Sequence, residues 1–196
     1  MEEVQILRND NEAKLIFDDM RREILRLLAR ENLTPHMLST ILGLSAPTVG
    51  HHLDVLKRSG LVRIVATKAE THGIVQKFYS ATAQAYIIEP RRLSPSVKRY
   101  FMPARIERTR GILAALSLNS ADQYEISSEL VETATEELAT RIVEVSESRQ
   151  GRMAEKDPER VISEIYRDAL SILISAKPNM FRRVNPDLSA SVRRAR

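Results

Sequence analysis

The sequence predicts a mainly α-helical fold with one small β-hairpin. Three observations carry that expectation. The stretch Ser45 to Gly60, SAPTVGHHLDVLKRSG, has the start, stripe and stop of one helix. A shorter helical stretch precedes it across a glycine turn. Two β-rich runs follow it.

The stretch at 45–60 is the clearest. Ser45 is a good N-cap, because its hydroxyl can accept from a free N–H of the first turn. Pro47 falls in that first turn, where no intrahelical N–H is needed. Gly60 suits a left-handed C-terminal cap, and the basic pair Lys57-Arg58 lies near the negative helix end. Val49, Leu53 and Leu56 recur at four- and three-residue steps and form one apolar stripe. Thr48, His51, His52 and Val55 fall largely off that stripe. The outward face is small and polar at its N-terminal end and basic at its C-terminal end, as a helix entering a DNA major groove requires.

Upstream, Thr34 can cap a short helix with Pro35 in its first turn, running through Leu42. Gly43 ends it and Leu44 bridges to Ser45, which gives helix, short glycine turn, helix. Downstream, 61–65 and 74–79 read as two strands around a polar loop at 66–73. Together these predict a winged helix-turn-helix over residues 1–90. Earlier still, Val4 to Leu7 predicts a strand or arm. Asn9 to Asn11 cap a helix through Phe17. A helix over 20–30 follows, with Met20, Ile24, Leu27 and Leu28 inward. Arg21, Arg22, Arg26 and Arg30 line its other face. Pairing of these with Asp18, Asp19 and Glu23 is expected there rather than phosphate contact.

Tyr86 to Ile88 predicts a third strand. Pro90 and Pro95 then place a domain boundary, and 91–176 reads as an all-helical dimerisation and effector region. Ser96 is expected to cap a helix that runs toward Leu118 with a kink at Pro103. A long helix from about 121 to 149 carries Val131, Ala134, Leu138, Ile142 and Val145 at coiled-coil-like steps. Asp157-Pro158 starts the last helix, with Ile162, Ile165, Tyr166, Ala169, Leu170 and Leu173 inward. Residues 177–196 are expected to be a flexible basic tail.

The net charge of +4 conceals blocks of opposite sign. Residues 91–110 hold seven basic side chains against one acidic, whereas 121–151 hold two against eight. The basic block can neutralise phosphates, and the acidic one reads as a solvated helix face. The chain has no cysteine, so disulfides and thiolate metal sites are excluded. Its four histidines, His36, His51, His52 and His72, form no ligand spacing, so neither a metal nor another cofactor is expected. There is no Gly-rich phosphate loop, GxSxG or HExxH, and the adjacent Glu136-Glu137 diverge on a helix; no enzyme is expected. The polar N-terminus predicts no secretory signal, and no apolar run is long enough to span a bilayer, so a cytoplasmic location is expected.

The stretch from Arg21 to Tyr79 resembles the ArsR-type winged-helix transcriptional regulators. The resemblance rests on Arg22 to Leu28, on Leu38-Ser39-Thr40-Ile41-Leu42-Gly43-Leu44-Ser45, on Pro47-Thr48-Val49-Gly50-His51-His52-Leu53, on Ser59-Gly60-Leu61-Val62 and on Lys77-Phe78-Tyr79. The chain is most similar to archaeal members with a C-terminal helical extension. The resemblance implies a homodimer that binds double-stranded DNA at a dyad operator, often as a repressor. It also implies that Thr48, His51 and His52 face DNA while the wing touches the backbone. Ser45, Pro47, Lys57, Arg58, Lys68, Thr71, His72 and Lys77 complete the candidate DNA-binding set. Gly50 departs from the family pattern, which has a serine or a larger polar residue there. Two other readings stay open: a winged-helix protein-interaction module, and a nonspecific chromatin-like DNA-binding protein. A small-molecule effector between helices of the extension is possible, and no residue pattern identifies it.

Overall fold

Apolar faces of four helices and a hairpin meet in one core, and their caps decide where each element begins. The computed structural model describes residues 1–69, 75–118, 126–154, 157–182 and 184–185. These form two units, one of residues 1–88 with 149–162, the other of 89–148 with the described residues from 163 onward.

In the first unit the order is β1 (Glu2–Leu7), α1 (Asp10–Leu15), α2 (Asp19–Leu28), α3 (Pro35–Leu42), α4 (Ala46–Arg58), β2 (Val62–Ala69), β3 (Val75–Ala81) and β4 (Ala83–Ile88). Each helix starts on a side-chain cap that satisfies a backbone donor with no intrahelical partner. Asn9 caps α1, Asp18 caps α2, Thr34 caps α3 and Ser45 caps α4. Gly43 closes α3 at φ 64° and Gly60 follows α4 at φ 72°, in the left-handed region where a Cβ is costly. After α4 the Gly60 N–H reaches the Lys57 carbonyl and the Leu61 N–H reaches Leu56, the paired bonds of a Schellman end.

Ile24, Leu28, Leu38, Val49, Leu53 and Leu56 come together with Leu33, Leu61 and Tyr79 in the core. Burying each such side chain is worth about 1.5–3 kcal/mol. Leu33 exchanges two backbone hydrogen bonds with Tyr79, so the α2–α3 connection adds a bridge to the hairpin. β2 and β3 are antiparallel, with a register shift between Ile64 and Ala66. β1 pairs in parallel with β4, the helices and the wing forming the crossover. The opposite edge of β1 meets residues 152–154, through a Glu2–Met153 bridge and a bond from the Glu3 N–H to the Arg152 carbonyl. The Tyr86 hydroxyl ties the wing to β4: it donates to the Leu61 carbonyl at 2.7 Å and accepts from the Thr82 and Ala83 N–H groups.

In the second unit, α5 (Pro95–Ser117) and α6 (Ser128–Glu147) are followed by the greater part of α7 (Pro158–Ala176) and by α8 (Pro178–Arg182). Their inward residues include Val97, Leu113, Val131, Leu138, Ile165, Leu173 and Phe181.

Several expectations are corrected. The strands extend beyond 61–65 and 74–79, and Ala66 to Ala69 belong to β2 rather than to a loop at 66–73. Ala66 to Ala69 are all exposed, so this part of β2 carries no apolar alternation to read. Helix α1 stops at Leu15, short of Phe17. Met20 is exposed at 37 % instead of joining the stripe of α2. Ser94, not Ser96, caps α5, because it accepts from the Val97 N–H while Pro95 opens the helix. Helix α6 begins at Ser128 on a Ser127 cap, not near 121; residues 119–125 lie outside the described residues. Val143 is buried where Ile142 was expected inward. The basic tail is packed at its start: α8 buries Phe181, Val184 is buried, and the Asn185 amide donates to the Leu116 carbonyl at 3.0 Å. Two apolar anchors outweigh its charge there; residues 186–196 lie outside the described residues.

Candidate nucleic-acid interface

Helix α4 is held by one face and offers the other. Val49, Leu53 and Leu56 are buried, at 0–1 % exposure. At about 100° per residue, the positions opposite them are Pro47, His51, Asp54 and Arg58, with Thr48 on one flank. Pro47, Thr48, His51, Asp54 and Arg58 are all exposed, as are Ser45 and Lys57. The cap at the N-terminal end sets the first of these side chains. Ser45 accepts from the Thr48 N–H at 3.3 Å, and the two hydroxyls lie 2.7 Å apart. The Thr48 methyl group makes no such commitment.

The two histidines part company. Their rings sit edge to face, with centroids 6.0 Å apart. His51 is exposed, whereas His52 is half-buried and its Nδ1 is buried with no hydrogen-bond partner. That nitrogen has its position on the flank nearest the core. Asp54 is an acid within the outward face that sequence reasoning missed; its position three residues after His51 on the helix was the available signal. At the C-terminal end the Arg58 guanidinium donates to the Asp54 carbonyl at 3.3 Å.

The register of the wing separates its lysines. Thr67 is paired with Lys77 and Lys68 with Gln76, and successive residues of a strand alternate faces. Lys77 therefore shares a face with the core residue Tyr79, the side on which the helices pack, and Lys68 shares the opposite face with Phe78. Val75 is 55 % exposed on the face of Lys77. Thr71 and His72 lie outside the described residues.

Charge pairing differs sharply between elements. On α2, Arg21 pairs with Asp18, Arg22 with Asp19, and Arg26 with Glu23 at 2.6 Å; Arg30 reaches Glu159 at 2.8 Å. The hydrogen bond from Arg26 holds the Glu23 carboxyl below its usual range. These arginines are thus already neutralised. Lys57, Arg58, Arg63, Lys68 and Lys77, on α4 and the wing, form no ion pair with a carboxylate among the described residues. Arg63 was not among the candidates; it stands on the outer face of β2, opposite Ser80. No group of three His, Asp or Glu side chains among the described residues is placed to hold a metal ion.

A capped helix with a polar exposed face, preceded by a short helix and followed by an antiparallel hairpin with exposed cations, defines a winged helix-turn-helix. Residues 18–63 match the family model described as bacterial regulatory protein, arsR family. This segment is a helix-turn-helix of the kind that DNA-binding transcription regulators carry. It begins at the cap of α2 and ends at the start of the wing. No curated protein matches the chain. No helix among the described residues is long and apolar enough to cross a membrane.

Proposed function

We propose that this chain is a sequence-specific transcriptional repressor that binds a dyad operator as a homodimer. In this reading α4 lies in the major groove and the wing at 66–73 lies on the DNA backbone. The observation that carries it is the exposed face of α4, polar at Thr48 and His51, beside cations that no carboxylate among the described residues neutralises. Thr48 can meet a thymine methyl, and His51 can donate to or accept from a base edge. Lys57, Arg58 and Lys77 supply phosphate contacts that position the helix. Two-fold symmetry follows from the small reach of one recognition helix, since a second half-site supplies the missing discrimination. The helices of the second unit provide the seam, and an effector held there would shift the operator equilibrium.

The test is a titration of the purified chain against a duplex from its own promoter and an unrelated duplex, at several salt concentrations. The proposal expects nanomolar binding to the first, far weaker binding to the second, and a steep salt dependence for both. Equal weak binding to both duplexes with the same salt slope would support nonspecific coating instead. No binding to either would favour a protein-interaction module.

A further inference from the structure

Asp54 is the one acid of α4, and it stands on the outward face. It lies one turn beyond His51 and one turn before Arg58, opposite the buried stripe of Val49, Leu53 and Leu56, and it is exposed. Among the described residues no lysine, arginine or histidine pairs with its carboxylate. The Arg58 guanidinium donates to the Asp54 backbone carbonyl instead, at 3.3 Å. Asp54 also belongs to the C-terminal half of the helix, so it gains nothing from the positive N-terminal end.

Tyr79 marks where the carboxylate sits. Burial raises the pKa of that phenol, and the charge of Asp54 raises it further. Tyr79 belongs to β3, so the acid stands where α4 meets the wing, between the two elements proposed to hold DNA.

Such a carboxylate is unfavourable against a polyanion. It repels the phosphates of every sequence alike and so weakens nonspecific binding. The repulsion is offset only where the carboxylate accepts a hydrogen bond from a base. In the major groove the exocyclic amino groups are the donors. Cytosine presents its N4 donor with no acceptor on the same base edge, whereas adenine sets its N6 donor beside the N7 acceptor, which repels a carboxylate.

We propose that Asp54 determines specificity: its carboxylate accepts from the N4 amino group of one cytosine in each half-site and disfavours every other base there. This rests on the reading of α4 as the helix that enters the groove.

The experiment is selection of bound duplexes from a random pool by the full chain, by Asp54→Asn and by Asp54→Ala, followed by anisotropy titrations on the selected duplex. The unsubstituted chain should enrich a half-site with a fixed cytosine. Asp54→Asn should prefer adenine at that position, because an amide accepts from N6 and donates to N7. Asp54→Ala should lose the preference at that position alone and bind an unrelated duplex more tightly. Changing the C·G pair to T·A should cost the unsubstituted chain about tenfold in affinity and Asp54→Ala almost nothing. An identical motif from all three chains, or an equal loss of affinity for every duplex in Asp54→Ala, would overturn the proposal and leave the DNA reading in place. No enriched motif from the unsubstituted chain would overturn that reading and the proposal with it.

Discussion

At the residue scale, the two adjacent histidines of α4 have different work to do. His51 is open to solvent, whereas His52 turns a partnerless Nδ1 inward. In the proposed complex, replacing Thr48 and His51 together with alanine removes two contacts to base edges. Operator affinity should fall by about tenfold or more while thermal stability barely changes. His52→Leu should act in the opposite sense. It relieves an unsatisfied buried nitrogen, so the melting temperature holds or rises and sequence preference survives. Anisotropy titrations paired with thermal melts separate the two. Helical geometry told in advance that the two rings could not share a face. Which ring turns inward depends on the position of the core stripe, and the burial of Nδ1 is legible only in the packed structure.

At the scale of elements, caps were the most legible feature. Asn9, Asp18, Thr34 and Ser45 all cap as their residue types suggest, because a cap is a local event among a few residues. Pairing of strands was far less legible. Nothing near Val4 announces that β1 lies parallel to β4, since that partner is some eighty positions away in the chain. Serine pairs also mislead: Ser94 and Ser96 are chemically alike, and the proline between them decides which one caps.

Gly50 gives a sharp test at this scale. A Cβ added there meets nothing within 4 Å, so the fold does not require glycine. Glycine in a helix interior costs about 1 kcal/mol relative to alanine. Gly50→Ala should therefore raise stability by about that amount in urea denaturation. If the helix lies close to the groove, as proposed, the same methyl group weakens operator binding.

The Tyr86 phenol gives a test in pH. Burial pushes its pKa above the ordinary value, opposed by its hydrogen bonds with Thr82 and Ala83. The folded state thus holds the phenol proton more tightly than the unfolded chain. The resulting stability is complete below the unfolded pKa of about 10 and is lost as pH rises through the folded value. Urea denaturation across pH 8 to 11 should show stability declining at the alkaline end. Tyr86→Phe should reduce that decline and cost about 1–3 kcal/mol at neutral pH through the groups left unpaired.

At the scale of the whole molecule, the helix-turn-helix of the first unit was readable almost residue by residue, from glycines, prolines and an apolar stripe. The second unit was not. Its charge blocks were visible, but not that Phe181 and Val184 draw the start of the tail into the helical packing. That feature arises from tertiary contacts between distant segments, and charge counts carry no information about it.

The central claim is that the outward face of α4 reads base edges, in a two-fold assembly. Selection from a random pool of duplexes, with sequencing of the bound fraction, tests it most directly. The account predicts enrichment of an inverted repeat whose half-sites lie about one helical turn apart. It further predicts that Thr48→Ala with His51→Ala erodes preference within the half-sites without changing their spacing. A bound fraction with no enriched sequence, or an identical motif from that double variant, would contradict it.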